Sequence, residues 1–214
     1  MLPGGQSRAR QAFLQPGQMV EANWHARLPE QLGSLRLEAT QPYPSAVLDD
    51  SRALAALASA CALVEQVLPE REPHPAVYES LGALIETLSS PIWPYVYVRW
   101  ELGLLSEIGY GIEFETCALT GAANSEDDPI AFVSPRTGHA VCRSAAAPYK
   151  GKLLKLPGFL LGLKGACMDD VQDGLVLTGF FLERAAHALH HAPLPAPRAR
   201  LVEKLWQPSV AEAG

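Results

Sequence analysis

Trp93-Pro-Tyr-Val-Tyr-Val-Arg99-Trp-Glu-Leu-Gly-Leu-Leu-Ser-Glu-Ile-Gly-Tyr-Gly111 is the stretch whose reading decides the fold. Pro94 suits a first helical turn, where its missing N–H costs nothing. Val98, Leu102, Leu105 and Ile108 follow at spacings of four and three, which predicts one apolar helix face. Gly109 and Gly111 can end the helix by adopting left-handed backbone conformations. Arg99 and Glu101 stand among large apolar side chains. They must either reach the edge of that face or find partners.

Outward from this helix, Asp49, Asp50 and Ser51 offer caps for a preceding one. Its inward face is expected at Leu54, Leu57, Cys61, Val64 and Leu68, with Pro69 as its end. Another helix is expected from Pro75, with Val77, Leu81, Leu84 and Leu88 inward. These three helices are expected to pack as a bundle. Further on, Ile130–Val133 and Ala140–Cys142 flank Ser134-Pro-Arg-Thr-Gly138, which predicts a small β-hairpin. Asp169 and Asp170 are expected to cap a long helix reaching about His191, with Val171, Leu175, Phe181, Leu182 and Ala186 in the core. Pro193, Pro195 and Pro197 are read as breakers, followed by a short helix over 198–206. Before residue 45 the character differs. Leu14-Gln-Pro-Gly17 reads as a turn, and Met19–Trp24 and Gly33–Glu38 alternate like half-buried strands. Pro42-Tyr-Pro44 reads as a hinge.

The central stretch also resembles the RecO family of bacterial DNA-repair proteins, whose pattern is Trp-Pro, then Arg-Trp/Phe-Glu, then an apolar run ending Gly-x-Gly. Phe114-Glu-Thr-Cys117-Ala-Leu-Thr120-Gly121, Phe132-Val-Ser-Pro-Arg136-Thr-Gly138 and Leu153-Leu-Lys-Leu-Pro157 follow in the family's order, and Leu68-Pro-Glu-Arg71-Glu-Pro-His74 fits upstream. The resemblance covers residues 45 to about 206. It implies an α+β protein: a mostly helical C-terminal domain over 45–214, with a small β-hairpin insert at about 112–145 that resembles a zinc finger without zinc. A partial OB-type β-barrel over 1–44 precedes it. The expected barrel is the second half of a five-stranded one. A shortened form or a misplaced start would leave open strand edges.

Totals narrow the function classes. The 214 residues are 48% hydrophobic, enough for a substantial core. No apolar run reaches the ~18 residues of a membrane span, and the N-terminus lacks a signal peptide's apolar centre. Four scattered cysteines agree with a reducing, cytoplasmic setting. With a net charge of -6, nucleic-acid binding must come from a local patch.

That patch is expected between Pro129 and Met168, a window without Asp or Glu that holds Arg136, Arg143, Lys150, Lys152, Lys155 and Lys164. Glu126-Asp-Asp128 and Asp169-Asp170 bracket it and could neutralise it across space. Leucines and Phe159 interleave with the lysines, which suits an acidic peptide with a hydrophobic end better than bare phosphate. The resemblance implies such a peptide: the acidic, Phe-terminated tail of single-stranded-DNA-binding protein (SSB). Lys150, Lys152, Lys155 and Lys164 are the candidates for it, and Arg136 and Arg143 for DNA. Arg8, Arg10 and Arg27 with Trp24 form a further DNA candidate, since cations beside an aromatic suit single strands. Ordinary surface charge around a core tryptophan is the alternative.

Zinc-bearing relatives carry Cys-x-x-Cys twice; here Cys117 and Cys142 are present, but Thr120 and Ala145 stand at the second positions. Two thiolates do not make a structural zinc site, so no metal and no cofactor is expected. His187, His190 and His191 read as complementing a helix's negative end, although 187 and 191 share a face. No nucleophile motif is present, so no enzyme is expected. By resemblance the function is mediation of recombinational repair: binding single- and double-stranded DNA and SSB, working with RecR to load RecA, and promoting annealing. A helical protein–protein adaptor without DNA affinity is one competing reading. A hydrolase built on Cys142 and His139 is another.

Overall fold

A computed structural model describes residues 15–28, 32–41, 46–149 and 151–206. Arg8, Arg10, Lys150 and the Pro42–Pro44 hinge lie outside the described residues. The fold is mixed α+β, as expected.

Two strands open it. β1 (Val20–His25) and β2 (Ser34–Ala39) pair antiparallel, with Trp24 opposite Leu35, Ala22 opposite Leu37 and Val20 opposite Ala39. Directly opposed residues share a face. One face of the ribbon is therefore apolar, and the other carries Glu21, Asn23, Arg36 and Glu38. Among the described residues this is a two-stranded ribbon. The segment before it docks on the helices, where the Tyr78 hydroxyl donates to Met19 Sδ at 2.9 Å.

Helix α1 (Ala46–Asp49) is one turn long. Helix α2 (Ser51–Val67) starts where Asp50 Oδ1 accepts from the N–H groups of Arg52 and Ala53. Asp50→Ala should cost about 1 kcal/mol, read by urea denaturation; an unchanged midpoint would remove the cap from the account. The buried face of α2 runs through Ala53, Ala56, Leu57, Ala60, Leu63 and Val67. Of the expected stripe, Leu57 is buried and Cys61, Val64 and Leu68 pack half-buried against the core, but Leu54 is corrected, being 39% exposed. Alanines set the buried line because α2 packs closely on another helix, α6 (Ala196–Trp206).

Helix α3 (Pro75–Thr87) and helix α4 (Trp93–Glu107) both begin with a proline in the first turn, and they pack on one another. His74 Nδ1 and Glu107 Oε1, 2.8 Å apart, tie the start of α3 to the end of α4. On its other side α4 meets α5 (Met168–His190). The expected bundle of three consecutive helices is thus corrected. The principal partner of α2 comes from the far end of the chain.

The insert is also larger than a hairpin. β3 (Ile130–Val133) pairs with β4 (Ala140–Cys142) on one side and with β5 (Leu154–Lys155) on the other, giving the order β4-β3-β5. The β3–β4 turn closes as expected, with Gly138 at φ 75°. A Cβ on Gly138 would touch Phe181, so the turn rests against α5. Asp170 helps cap α5 as expected, in a capping box whose N-cap residue is Cys167: it reaches back to accept from the Cys167 N–H at 2.8 Å. Pro197 lies in the first turn of α6 and helps start it rather than breaking it.

Candidate partner-binding face on the inserted sheet

The basic window does not act as a unit. Lys155, in β5, pairs with Asp173 of α5 at 2.9 Å, and this carboxylate raises the lysine's pKa. Lys164 lies on the exposed approach to α5. Lys152 is exposed, and its N–H donates to the Tyr149 carbonyl. It sits between Gly151 and Leu153, which line a cup of about 210 Å³. Phe132, Ala146 and Tyr149 supply apolar walls and Arg143 a positive charge. Arg143 is near enough to Asp128 to help lower that carboxyl, after the larger effect of hydrogen bonds from Ser144. Among the described residues neither Arg143 nor Lys152 has a carboxylate at ion-pair distance. The cup is therefore greasy inside and positive at its edge.

Arg136 stands in the β3–β4 turn, where Arg184 of α5 donates to the Pro135 and Arg136 carbonyls at 3.4 and 3.3 Å. The Arg184 guanidinium thus meets the backbone that carries Arg136, 48 residues away in the chain. Arg184 was missed in the sequence, since its own helix gives no sign that it faces the turn. Trp24, 54% exposed, stands on the apolar face of the ribbon opposite Leu35, while Arg36 lies on the other face and pairs with Glu38 at 2.9 Å. Arg27 is exposed just after β1. Trp24 thus shares its face with aliphatic side chains rather than with cations.

A second groove, of about 530 Å³, runs between α5 and α6, with Phe180, Leu194, Val202 and Trp206 on its walls. Arg198 also lines it, but its guanidinium is bound to Glu101 by two hydrogen bonds of 2.8 and 2.9 Å. That charge is already neutralised, so the groove is not an anion site.

Cys117 and Cys142 meet beneath the cup, in a small apolar cluster with Val141 and Ala146 against which Phe132, Ala145 and Leu153 pack. The Cys142 N–H donates to Cys117 Sγ at 3.2 Å. Thr120 Oγ1 and Ser144 Oγ lie 3.8 and 3.7 Å from Cys142 Sγ. The four positions of the resemblance are thus brought together, but two of them carry a hydroxyl and a methyl. That set does not fit tetrahedral zinc, which takes four Cys or His ligands in such sites. His139 turns to Glu113 at 3.1 Å, away from any hydrogen bond with Cys142 among the described residues. His187 and His191 stack edge to face, with ring centres 5.8 Å apart, and the His191 N–H caps α5 on the His187 carbonyl.

The family model described as Recombination protein O C terminal matches residues 48–187. The chain belongs to the RecO family. It is 49% identical over 204 residues to the DNA repair protein RecO of Rhodospirillum centenum, spanning 95% of this chain and 81% of that one. It is 46% identical over 204 residues to RecO of Caulobacter vibrioides NA1000, spanning 94% and 82%. With RecO of Rhodospirillum rubrum it shares 44% over 217 residues, spanning 98% and 84%. The RecO match therefore contains the helices α2 to α5 and the inserted sheet, which carry the cup and the Arg136–Arg184 pair. A role in DNA repair follows from this membership. Among the described residues no helix is long and apolar enough to cross a membrane.

Proposed function

We propose that this chain is a recombination mediator of the bacterial cytoplasm. It binds single- and double-stranded DNA, takes the acidic tail of SSB, works with RecR to load RecA, and promotes annealing. The cup carries this reading. Its apolar walls at Phe132, Ala146 and Leu153 match an aromatic end group, and Arg143 in the lining, with the exposed Lys152 between the lining residues Gly151 and Leu153, matches the tail's carboxylates. Arg136 and Arg184 offer a second, separate contact for phosphates. Trp24 and Arg27 would extend it along a single strand. The 1–44 segment is read as a partial OB-type domain, since β1 and β2 have one apolar and one polar face, as barrel strands do. The work is capture and positioning, with no covalent step.

DNA binding is tested by its salt dependence. With about two to four phosphate contacts, log affinity should fall with log salt at a slope between about -2 and -4. Arg136→Glu with Arg184→Glu should flatten the slope by about 2. Absence of DNA binding at ~50 mM salt would favour the adaptor reading. The pairing of Lys155 with Asp173 and of Arg36 with Glu38 speaks for that second reading, because it removes two cations from any phosphate-binding surface.

A further inference from the structure

The two cysteines beneath the cup sit in a setting that suits chemistry of their own. They come from the turn after Phe114 and from β4, 25 residues apart, yet Cys117 Sγ accepts from the Cys142 N–H at 3.2 Å. Both belong to one buried cluster with Val141 and Ala146. No third thiol or imidazole joins them, and no group of three metal-binding side chains occurs among the described residues. Cys117 and Cys142 are each 1% exposed, and the exposed Thr120 and Ser144 lie 3.8 and 3.7 Å from Cys142 Sγ.

We propose that Cys117 and Cys142 form a reversible dithiol–disulfide couple oxidised by hydrogen peroxide. Each step balances. The Cys117 thiolate attacks one peroxide oxygen; the S–O bond forms, the O–O bond breaks, and the departing hydroxide takes a proton to become water. Cys142 then attacks the sulfur of the Cys117 sulfenic acid. The S–S bond forms, the S–O bond breaks, and the hydroxide leaves as water with the Cys142 proton. Two thiols lose two electrons in all, and one peroxide gains them.

Local chemistry favours Cys117 as the attacking group. Burial raises its pKa, but hydrogen bonds from Thr120, from the N–H and thiol of Cys142, and from the Leu119 backbone bring it down to about 6. A thiolate is then present at neutral pH. The other two cysteines lack a partner thiol. Burial raises the Cys61 thiol, and Cys167 Sγ is hydrogen-bonded to Asp170 Oδ2 at 3.3 Å. A disulfide between 117 and 142 would fasten the 117–121 turn to β4, under the same walls that line the cup.

Peptide mapping under non-reducing conditions tests this directly on the full reduced chain. Hydrogen peroxide at a small molar excess should remove both thiols from alkylation. It should yield one internal Cys117–Cys142 link, lighter by two hydrogen atoms and reversed by dithiothreitol. Cys142→Ser should give no link and instead accumulate a sulfenic acid at Cys117 that dimedone traps. Should that variant not fold, mapping of the natural chain alone decides. The inference is overturned if both thiols stay alkylatable while Cys167 oxidises, or if Cys117 goes to sulfinic acid with no link. Neither result touches the reading of the cup, which rests on peptide binding.

Discussion

Arg198→Met should destabilise the folded chain by about 3–5 kcal/mol, the usual cost of leaving one member of a buried ion pair alone. For a chain of this size, that lowers the melting temperature by on the order of 10 °C. Glu101 is fully buried on α4, and Arg198 nearly so on α6. Burial works against the arginine's charge, but Glu101, with Tyr97 and Glu183, raises its pKa and keeps it protonated. Arg198 also donates to the Leu175 carbonyl at 2.9 Å, and Thr178 donates to Glu101. Tyr97, its pKa raised by burial and then by Glu101, bonds Ser59 of α2 at 2.6 Å. One network therefore spans α2, α4, α5 and α6. Glu101→Gln should cost less, because it keeps a hydrogen-bonding shape and removes one charge. Replacing both ends, Glu101→Leu with Arg198→Met, should recover most of the loss. Urea midpoints measure all three. A single Arg198→Met that costs under about 1 kcal/mol would show that the pair does not hold the helices together.

Arg143→Glu with Lys152→Glu should weaken binding of an acidic, phenylalanine-ended peptide by about 10- to 100-fold, the loss of one or two charge-assisted hydrogen bonds at about 1.5–3 kcal/mol. The helical body should be untouched, since both side chains are exposed. Fluorescence anisotropy with a labelled peptide reads the affinity, and circular dichroism checks the fold. Lys155→Glu serves as the contrast. It loses the Asp173 contact and, unlike Lys152, does not adjoin the lining residues Gly151 and Leu153, so its effect on the peptide should be small. If Lys155→Glu weakened binding more than the double change in the cup, the peptide would lie elsewhere.

These two sites were unequally legible. The strands, the β3–β4 turn and the ends of α3 and α4 follow from period, proline and glycine, because local backbone preference sets them. The resemblance placed the family from residues in order along the chain. The apolar face of α2 was misread at Leu54 because leucines outweigh alanines in any hydrophobic pattern. A close helix crossing selects the small side chain instead. β5 was hidden because a two-residue strand has no period of its own; it exists only where β3 offers an edge.

The amino-acid order alone determined where α3 and α4 begin, which segments alternate, and that Glu101 had to reach an edge or find a partner. Only the tertiary structure decided that the partner is Arg198, 97 residues later, and that Lys155 is answered by Asp173 while Arg143 lines an open cup. Local preferences act over a few residues, whereas charges and apolar faces are satisfied by whatever the packed chain brings within a few ångströms. That distance is independent of separation along the sequence.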